Sequence, residues 1–394
     1  MNLQLSQRVQ AIKPSPTLAM TVRANEMKAA GHDVIGLGGG EPDFDTPRHI
    51  KEAAVVALNK GYTKYTAVDG IPSLKQAIIN KFIRENELTY KPKQILVSCG
   101  AKHSFYNLAQ ALLNPGDEVV IPAPYWVSYP DMVVLAGAEP VIIPASLSQG
   151  FKITPKQLKA VLTEKTRLFI INSPSNPTGV HYSPSELAAL GAVLREYPKV
   201  LVITDDVYEH ILWEGKPFKN ILNACPELYE RTVVLNAVSK SYAMTGWRIG
   251  YAAGPEKLIQ AMTNIQSQST SNPNSIAQHA AQAALEGDQS LIQEMAQVFK
   301  ERHDFLLNAL LEIKGVKCLP CQGTFYTFPN FQEVMDRFGI KNDLEFAEFL
   351  IEKTGVVTVP GSGFGAPAHL RLSFSTGMDN LEKAMERLHQ TLGS

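Results

Sequence analysis

Ser239-Lys240 is followed by Ala243-Met244-Thr245-Gly246-Trp247-Arg248-Ile249-Gly250, so a lysine and an arginine stand eight positions apart across a glycine-bearing turn. A lysine amine condenses with an aldehyde to a Schiff base, and an arginine grips a phosphate through paired N–H donors. Neither residue decides anything alone. The chain holds 37 Lys and Arg, and most such charges are solvated surface groups. The weight lies in what else could serve the same ligand.

Pyridoxal phosphate presents an aldehyde, a phosphate, a ring nitrogen and a ring oxygen, and the chain holds a candidate for each. Asp205 closes the run Val202-Ile203-Thr204-Asp205. A carboxylate there can pair with a protonated pyridine nitrogen and keep the ring an electron sink. Tyr208, three residues on, can donate to the ring oxygen. Asp205-Asp206 also reads as a solvated turn or a metal pair, but neighbours on an extended segment point opposite ways and do not share one ligand atom. Asn176 lies in Asn172-Ser173-Pro174-Ser175-Asn176-Pro177-Thr178-Gly179, which is a turn by composition and equally a rigid platform for one amide. Ser98-Cys99-Gly100-Ala101-Lys102 closes a strand and opens a helix, where free N–H groups suit a phosphate, although such junctions are common. Trp126, in Pro124-Tyr125-Trp126, offers a flat face to a ring or belongs to the core. Arg371 sits on an apolar run, where a buried arginine needs either a substrate carboxylate or a structural ion pair. Gly36-Leu37-Gly38-Gly39-Gly40-Glu41-Pro42 fails the dinucleotide fingerprint, because Glu41 stands where the third glycine belongs; it does let backbone approach a ligand closely.

These residues need a scaffold that brings strand ends together. Strands are expected at 34–37, 94–98, 118–121, 140–143, 167–172, 201–204, 232–235 and 249–252, and helices at 48–59, 71–85, 101–113, 183–196 and 256–266. Their alternation predicts an α/β fold with a mostly parallel sheet. Runs such as Leu168-Phe169-Ile170-Ile171 are apolar throughout, as strands covered on both faces require. Sites in such sheets lie beyond the carboxyl ends of the strands. Residues 278–311 read as long helix broken near Gly287-Asp288. Shorter strands at 324–328, 356–359 and 369–374 and helices at 344–353 and 379–390 then suggest a smaller α+β part, joined by a loop-rich segment up to Arg48. The expected division is a large domain at 49–290 and a small one at 1–48 and 291–394.

With 394 residues, two domains are expected. A formal net charge of −1 without a basic block gives no case for nucleic acid. No apolar run is long enough for a membrane span, and the first residues lack the apolar stretch of a signal peptide, so a cytoplasmic location is expected. Four cysteines make no disulfide framework. Cys318-Leu319-Pro320-Cys321 has redox or half-zinc spacing but no second ligand pair, which favours plain structural thiols, and no metal is expected.

Taken in order, Gly40-Glu41-Pro42-Asp43-Phe44, Tyr65 with Gly70, Pro124-Tyr125-Trp126, Asn176-Pro177-Thr178-Gly179, Asp205 to Tyr208, Ser239-Lys240, Trp247-Arg248-Ile249-Gly250 and Arg371-Leu372-Ser373 resemble the fold-type I pyridoxal-phosphate aminotransferases of the aspartate aminotransferase family. The resemblance spans nearly the whole chain. It implies a seven-stranded sheet flanked by helices and a homodimer with shared active sites. It implies that Lys240 carries the cofactor and shuttles the substrate proton, that Asp205 pairs with the ring nitrogen, and that Tyr208 and Asn176 hold the ring oxygen. Trp126 would stack on the ring. Arg248 and the N–H groups of Gly100, Ala101 and Lys102 would take the phosphate, and Tyr65 would reach the neighbouring subunit's phosphate. Gly40, Arg371, Trp126 and Asn176 would border the substrate. Two departures stand out: Ala237 and Lys102 occupy positions where some members carry hydroxyl residues. Arg8 to Thr17 is similar to the prokaryote- and plastid-type branch, in which Lys13, Thr17 and Lys102 match positions tied to dicarboxylate or prephenate recognition; Lys13 also reads as a solvated charge before a proline turn. The implied reaction exchanges amino groups between aspartate or glutamate and 2-oxo acids, and also between an amino donor and prephenate. A carbon–sulfur lyase, or transfer from aromatic or neutral amino acids, is the alternative on the same scaffold.

Overall fold

The computed structural model describes residues 3–12, 16–213, 215 and 217–393, with backbone only at 16–18 and 21. Its centre is a seven-stranded sheet. In spatial order the strands are Ile95–Ser98, Gly250–Ala253, Thr232–Ala237, Leu201–Asp205, Thr166–Asn172, Glu118–Ala123 and Glu139–Pro144. Neighbours run parallel except around Gly250–Ala253, which is antiparallel to both strands beside it. The all-apolar strands have the expected cause. Phe169, Ile171, Val202 and Val234 enter one buried cluster, while Leu168, Ile170, Ile203 and Val233 enter another on the opposite face. Alternating side chains therefore meet helices on both sides. The first cluster includes residues of helices Pro72–Lys81, Pro184–Arg195 and Ser275–Glu286. The second includes residues of Ala101–Leu112, Ser128–Leu135 and Glu256–Ser267.

A separate three-stranded antiparallel sheet joins Val359–Pro360, Leu370–Ser373 and Tyr326–Thr327, and Ile35–Gly36 pairs in parallel with Val356–Val357. Helices Ser290–Leu311, Asp343–Thr354 and Met378–Leu392 share a core with these strands. The helical stretch expected across 278–311 is two helices, Ser275–Glu286 and Ser290–Leu311, separated at Gly287-Asp288-Gln289.

Three expectations need correction. The segment before Arg48, expected to be loop-rich, also carries two helices, Gln7–Ala11 and Pro16–Ala29. Among the described side chains of the second helix, Met20, Ala24 and Met27 pack on the small-sheet core, and the polar residues between them hide so narrow a face. The helix expected at 71–85 ends at Lys81 and continues as a widened turn, Phe82–Asn86, closed by Glu87 in the left-handed region at φ 58°. Asn86 is thereby brought to donate to Glu209 Oε2 at 2.7 Å. Helix Ser128–Leu135 was not expected, because its start carries no side-chain cap and a proline interrupts its first turn.

Candidate active site

Three strand ends converge because one strand is reversed. Gly250 pairs with Ala237 on one side and with Ser98 on the other. A strand entering where its neighbours leave places Arg248, the end of Thr232–Ala237 and the Gly100 junction at one edge. Just past Ala237, the short helix Val238–Ser241 carries Lys240. Beyond Ser98, Gly100 at φ 88° opens helix Ala101–Leu112. Arg248 adopts the left-handed conformation at φ 57° and donates to Thr245 O at 2.9 Å and Cys99 O at 3.3 Å. A Cβ on Gly100 would lie 2.4 Å from Arg248 Nη2, so only glycine lets the guanidinium lie against this helix start.

A cavity of about 410 Å³ opens at this edge. It is bordered by Gly40, Ala101, Lys102, Trp126, Asn176, Asp205, Tyr208, Lys240, Arg248 and Arg371, all singled out from sequence. Lys240 Nζ donates to Gly40 O at 2.5 Å. Burial, reinforced by the charges of Arg371 and Arg248, brings the Lys240 amine down to about 8. Asp205 is buried at the end of its strand; Tyr129 donates to its Oδ2, and the Val207 N–H reaches Oδ1 at 3.3 Å. Burial raises the Asp205 carboxyl to about 6 against those two hydrogen bonds. Its neighbour Asp206 points away, accepting from Thr204 Oγ1 at 2.5 Å and Asn220 Nδ2 at 2.7 Å.

Arg371 is only 3% exposed. It donates to Asn176 Oδ1 at 3.0 Å and Gly38 O at 2.9 Å, and its Nε has no hydrogen-bond partner. Tyr326 and Phe364 flank the guanidinium, with ring centres 4.3 and 5.1 Å away. Of the two readings of Arg371, the ion pair is absent among the described residues, and both partners are neutral acceptors. Asn176 is held by its own N–H to Asn172 Oδ1 at 2.9 Å, and Asn172 in turn donates to Asp205 O at 2.9 Å. Lys102 Nζ stands 5.0 Å from the Trp126 ring centre, its amine pulled down by burial and by the charge of Arg248.

Tyr65 is 91% exposed and does not border the cavity of its own chain. Lys13 and the side chain of Thr17 lie outside the described residues. Three contributors escape the sequence reading. Tyr129 follows Trp126 by one helical turn and meets it edge to face at 5.2 Å, but nothing in its letters points to Asp205. Tyr326 borders the cavity and hydrogen-bonds Tyr208 at 3.1 Å between hydroxyls. Ser239 borders it beside Lys240, a position that adjacency alone could have suggested.

Elsewhere, Cys318 and Cys321 are free thiols; burial lifts Cys318 to about 11. Among the described residues, Glu85, Glu209 and His210 alone have metal-ligand spacing. The Lys81 ammonium already bonds Glu209 and lies 3.5 Å from Glu85, which supplies the positive charge there.

This architecture and site define a class of enzymes, and comparison with known proteins names it. The family model "Aminotransferase class I and II" matches residues 32–388, and the chain belongs to that family. It is 58% identical over 396 residues to the aspartate/prephenate aminotransferase of Nitrosomonas europaea, covering 99% of this chain and 100% of that one. It is 51% identical to the aspartate aminotransferase of Geobacillus stearothermophilus, with 98% of each covered. Among solved structures, the aspartate aminotransferase from Rhizobium meliloti superposes with a TM-score of 0.96 at 44% identity, over 100% of this chain and 99% of that one. The Thermus thermophilus enzyme with maleate gives 0.94 at 41%, over 99% and 100%. The protein is an aminotransferase with the seven-stranded α/β fold of these enzymes.

Proposed function

We propose that this aminotransferase binds pyridoxal 5′-phosphate at Lys240, moves amino groups between aspartate or glutamate and 2-oxo acids, and also converts prephenate to arogenate. The observation that carries this is the joint presence, in one cavity, of the Lys240 amine, the Asp205 carboxylate, the Gly100–Arg248 cradle and the half-satisfied Arg371. The donor set fits the cofactor. Arg248 and the N–H groups of Gly100, Ala101 and Lys102 answer a phosphate, Asp205 a cationic ring nitrogen, Tyr208 and Asn176 a ring oxygen, and Trp126 a ring face. When bound, the cofactor supplies an aldehyde carbon that takes up the amino group and a ring that draws electrons from the substrate's Cα.

The remaining work falls to the protein. A Lys240 amine near 8 keeps a useful neutral fraction at physiological pH, so Nζ can take a proton from Cα and return it nearby. Arg371, steadied by two aromatic rings, holds the α-carboxylate with Gly40 beside it. Lys102, bordering the same cavity, is placed for a second carboxylate, and Lys13 and Thr17 would add to this from the N-terminal segment. The names of the close relatives support the dicarboxylate and prephenate readings.

The proposed active unit is a homodimer. Tyr65 stands out from its own chain, and Val55, Val56, Leu58 and Tyr62 are exposed nearby, an apolar grouping that fits a subunit interface. The two parts, 49–290 and 1–48 with 291–394, are proposed to close on the substrate and exclude water.

A half-reaction screen tests the proposal. The loaded enzyme is mixed with aspartate, glutamate or phenylalanine, and the aminated form with oxaloacetate, 2-oxoglutarate or prephenate, while the cofactor spectrum is followed. Aspartate and prephenate should each convert the bound cofactor. Release of pyruvate and ammonia would mark a lyase, and retained turnover in Lys240→Ala would refute the assignment of the amine.

A further inference from the structure

Tyr65 sits on the loop at 62–71, and that loop is unusually well held for one whose most prominent side chain touches so little of its own chain. Ser275 Oγ donates to Tyr62 O at 2.6 Å, and the Val97 N–H donates to Asp69 O at 3.1 Å. Gly70, at φ 104°, approaches the sheet so closely that a Cβ would lie 2.5 Å from Val97 Cγ2. The central fastenings are two fully buried glutamines. Gln278, on helix Ser275–Glu286, accepts from the Ile71 N–H at 2.8 Å and donates to Thr66 Oγ1 at 3.2 Å and Pro273 O at 2.9 Å. Gln266, on helix Glu256–Ser267, donates to Val68 O at 2.7 Å and Val97 O at 2.8 Å, and accepts from Asn107 Nδ2 at 2.9 Å.

The partners of Gln266 are informative. Val97 lies on the strand that runs into the Gly100 junction, and Asn107 lies on the helix that begins there. One side-chain amide therefore joins the elements forming this chain's own cradle to the loop that displays Tyr65.

We propose that Gln266 and Gln278 are positioning residues for a site they do not touch: they hold the 62–71 loop so that Tyr65 meets the phosphate bound by a second copy of this chain. Gln278 ties the loop to Pro273, whereas Gln266 braces the cradle of its own chain as well as the loop. The inference rests on the two-chain reading above and extends it to named residues. The amides fix the loop because each, fully buried, bonds it at a backbone group.

The distinguishing test uses hybrid dimers assembled from separately tagged chains, with cofactor fixed at Lys240 by borohydride as the readout. In the first hybrid, the chain with Lys240 intact carries Gln278→Leu and its partner carries Lys240→Ala. In the second, the chain with Lys240 is otherwise unaltered and its partner carries both Lys240→Ala and Gln278→Leu. Each hybrid has one reactive site. The second should need roughly tenfold more cofactor for half-saturation, as loss of one hydrogen bond to a charged group would give, while the first should match a hybrid carrying Lys240→Ala alone. Should Gln278→Leu not fold, Thr66→Ala removes one of the same bonds from a half-exposed position, with the same asymmetry expected at smaller size. Equal half-saturation in the two hybrids, or weakening in the first, would overturn this proposal while leaving the assignment of Lys240 intact. Absence of any adduct in the unaltered dimer would remove both.

Discussion

Replacing Tyr129 with phenylalanine isolates one hydrogen bond at the centre of the site. The phenyl ring keeps its edge-to-face contact with Trp126 at 5.2 Å and its packing on Phe105 at 5.2 Å. Only the hydroxyl that donates to Asp205 Oδ2 is lost, and Oδ1 retains the Val207 N–H. A hydrogen bond to a buried charged group is worth about 1.5–3 kcal/mol. At about 1.4 kcal/mol per pKa unit, its removal raises the Asp205 carboxyl by about one to two units. Starting from about 6, the group then holds its proton through neutrality. A neutral carboxyl cannot face a cationic ring nitrogen, so cofactor uptake should fail at higher pH in the variant than in the unaltered enzyme. Absorbance titrations of the cofactor-free protein between pH 5 and 9 should show the acid limb displaced upward by about one to two units. Coincident limbs in two proteins with matching near-ultraviolet dichroism would refute the reasoning, because the hydroxyl would then have no part in setting the charge of Asp205.

Gly100→Ala forces a Cβ into the Arg248 guanidinium at 2.4 Å on a backbone held at φ 88°; equilibrium dialysis should show cofactor affinity lowered by at least about tenfold. Lys102→Ala should raise KM for aspartate by about tenfold and leave phenylalanine transamination nearly unchanged, since the proposed charge pair with the second carboxylate is what it would remove; equal effects on both substrates would count against that role. Asp206 is raised to about 7 from an ordinary 3.8 by burial and the charge of Glu209. The folded protein thus binds more protons than the unfolded chain across that window, and this group's contribution to stability declines as pH rises through it. In Asp206→Asn the melting temperature should gain on that of the unaltered protein between pH 5 and 8, and parallel curves would discard the linkage.

The legible part of this site is the part encoded locally. Lys240 and Arg248 lie within one reversal of the chain, Asp205 ends an apolar strand, and Gly100 marks a strand-to-helix junction. Each therefore announces itself by type and spacing. Tyr129 and Tyr326 do not, because their importance comes from hydroxyls aimed at Asp205 and Tyr208 across the fold. Arg371 reads as a buried cation in need of a partner, yet its bond to Asn176 spans 195 positions and no local pattern contains it. The strands were readable because burial on both faces leaves them uniformly apolar. Helix Pro16–Ala29 was not, because Met20, Ala24 and Met27, which pack on the core, stand among polar residues that blur the inward stripe.

The reversed strand Gly250–Ala253 makes segment length matter as much as composition. Gly250 is matched to Ala237 and Ser98 at once, and the buried Tyr251 follows it. Deleting or adding one residue between Ser241 and Ile249 would shift that register and move the Tyr251 side chain to the other face. An indel scan should find this short span intolerant even at positions where single substitutions are harmless. A change in residue count there, more than a change of letter, is what would separate an active descendant of this chain from an inert one.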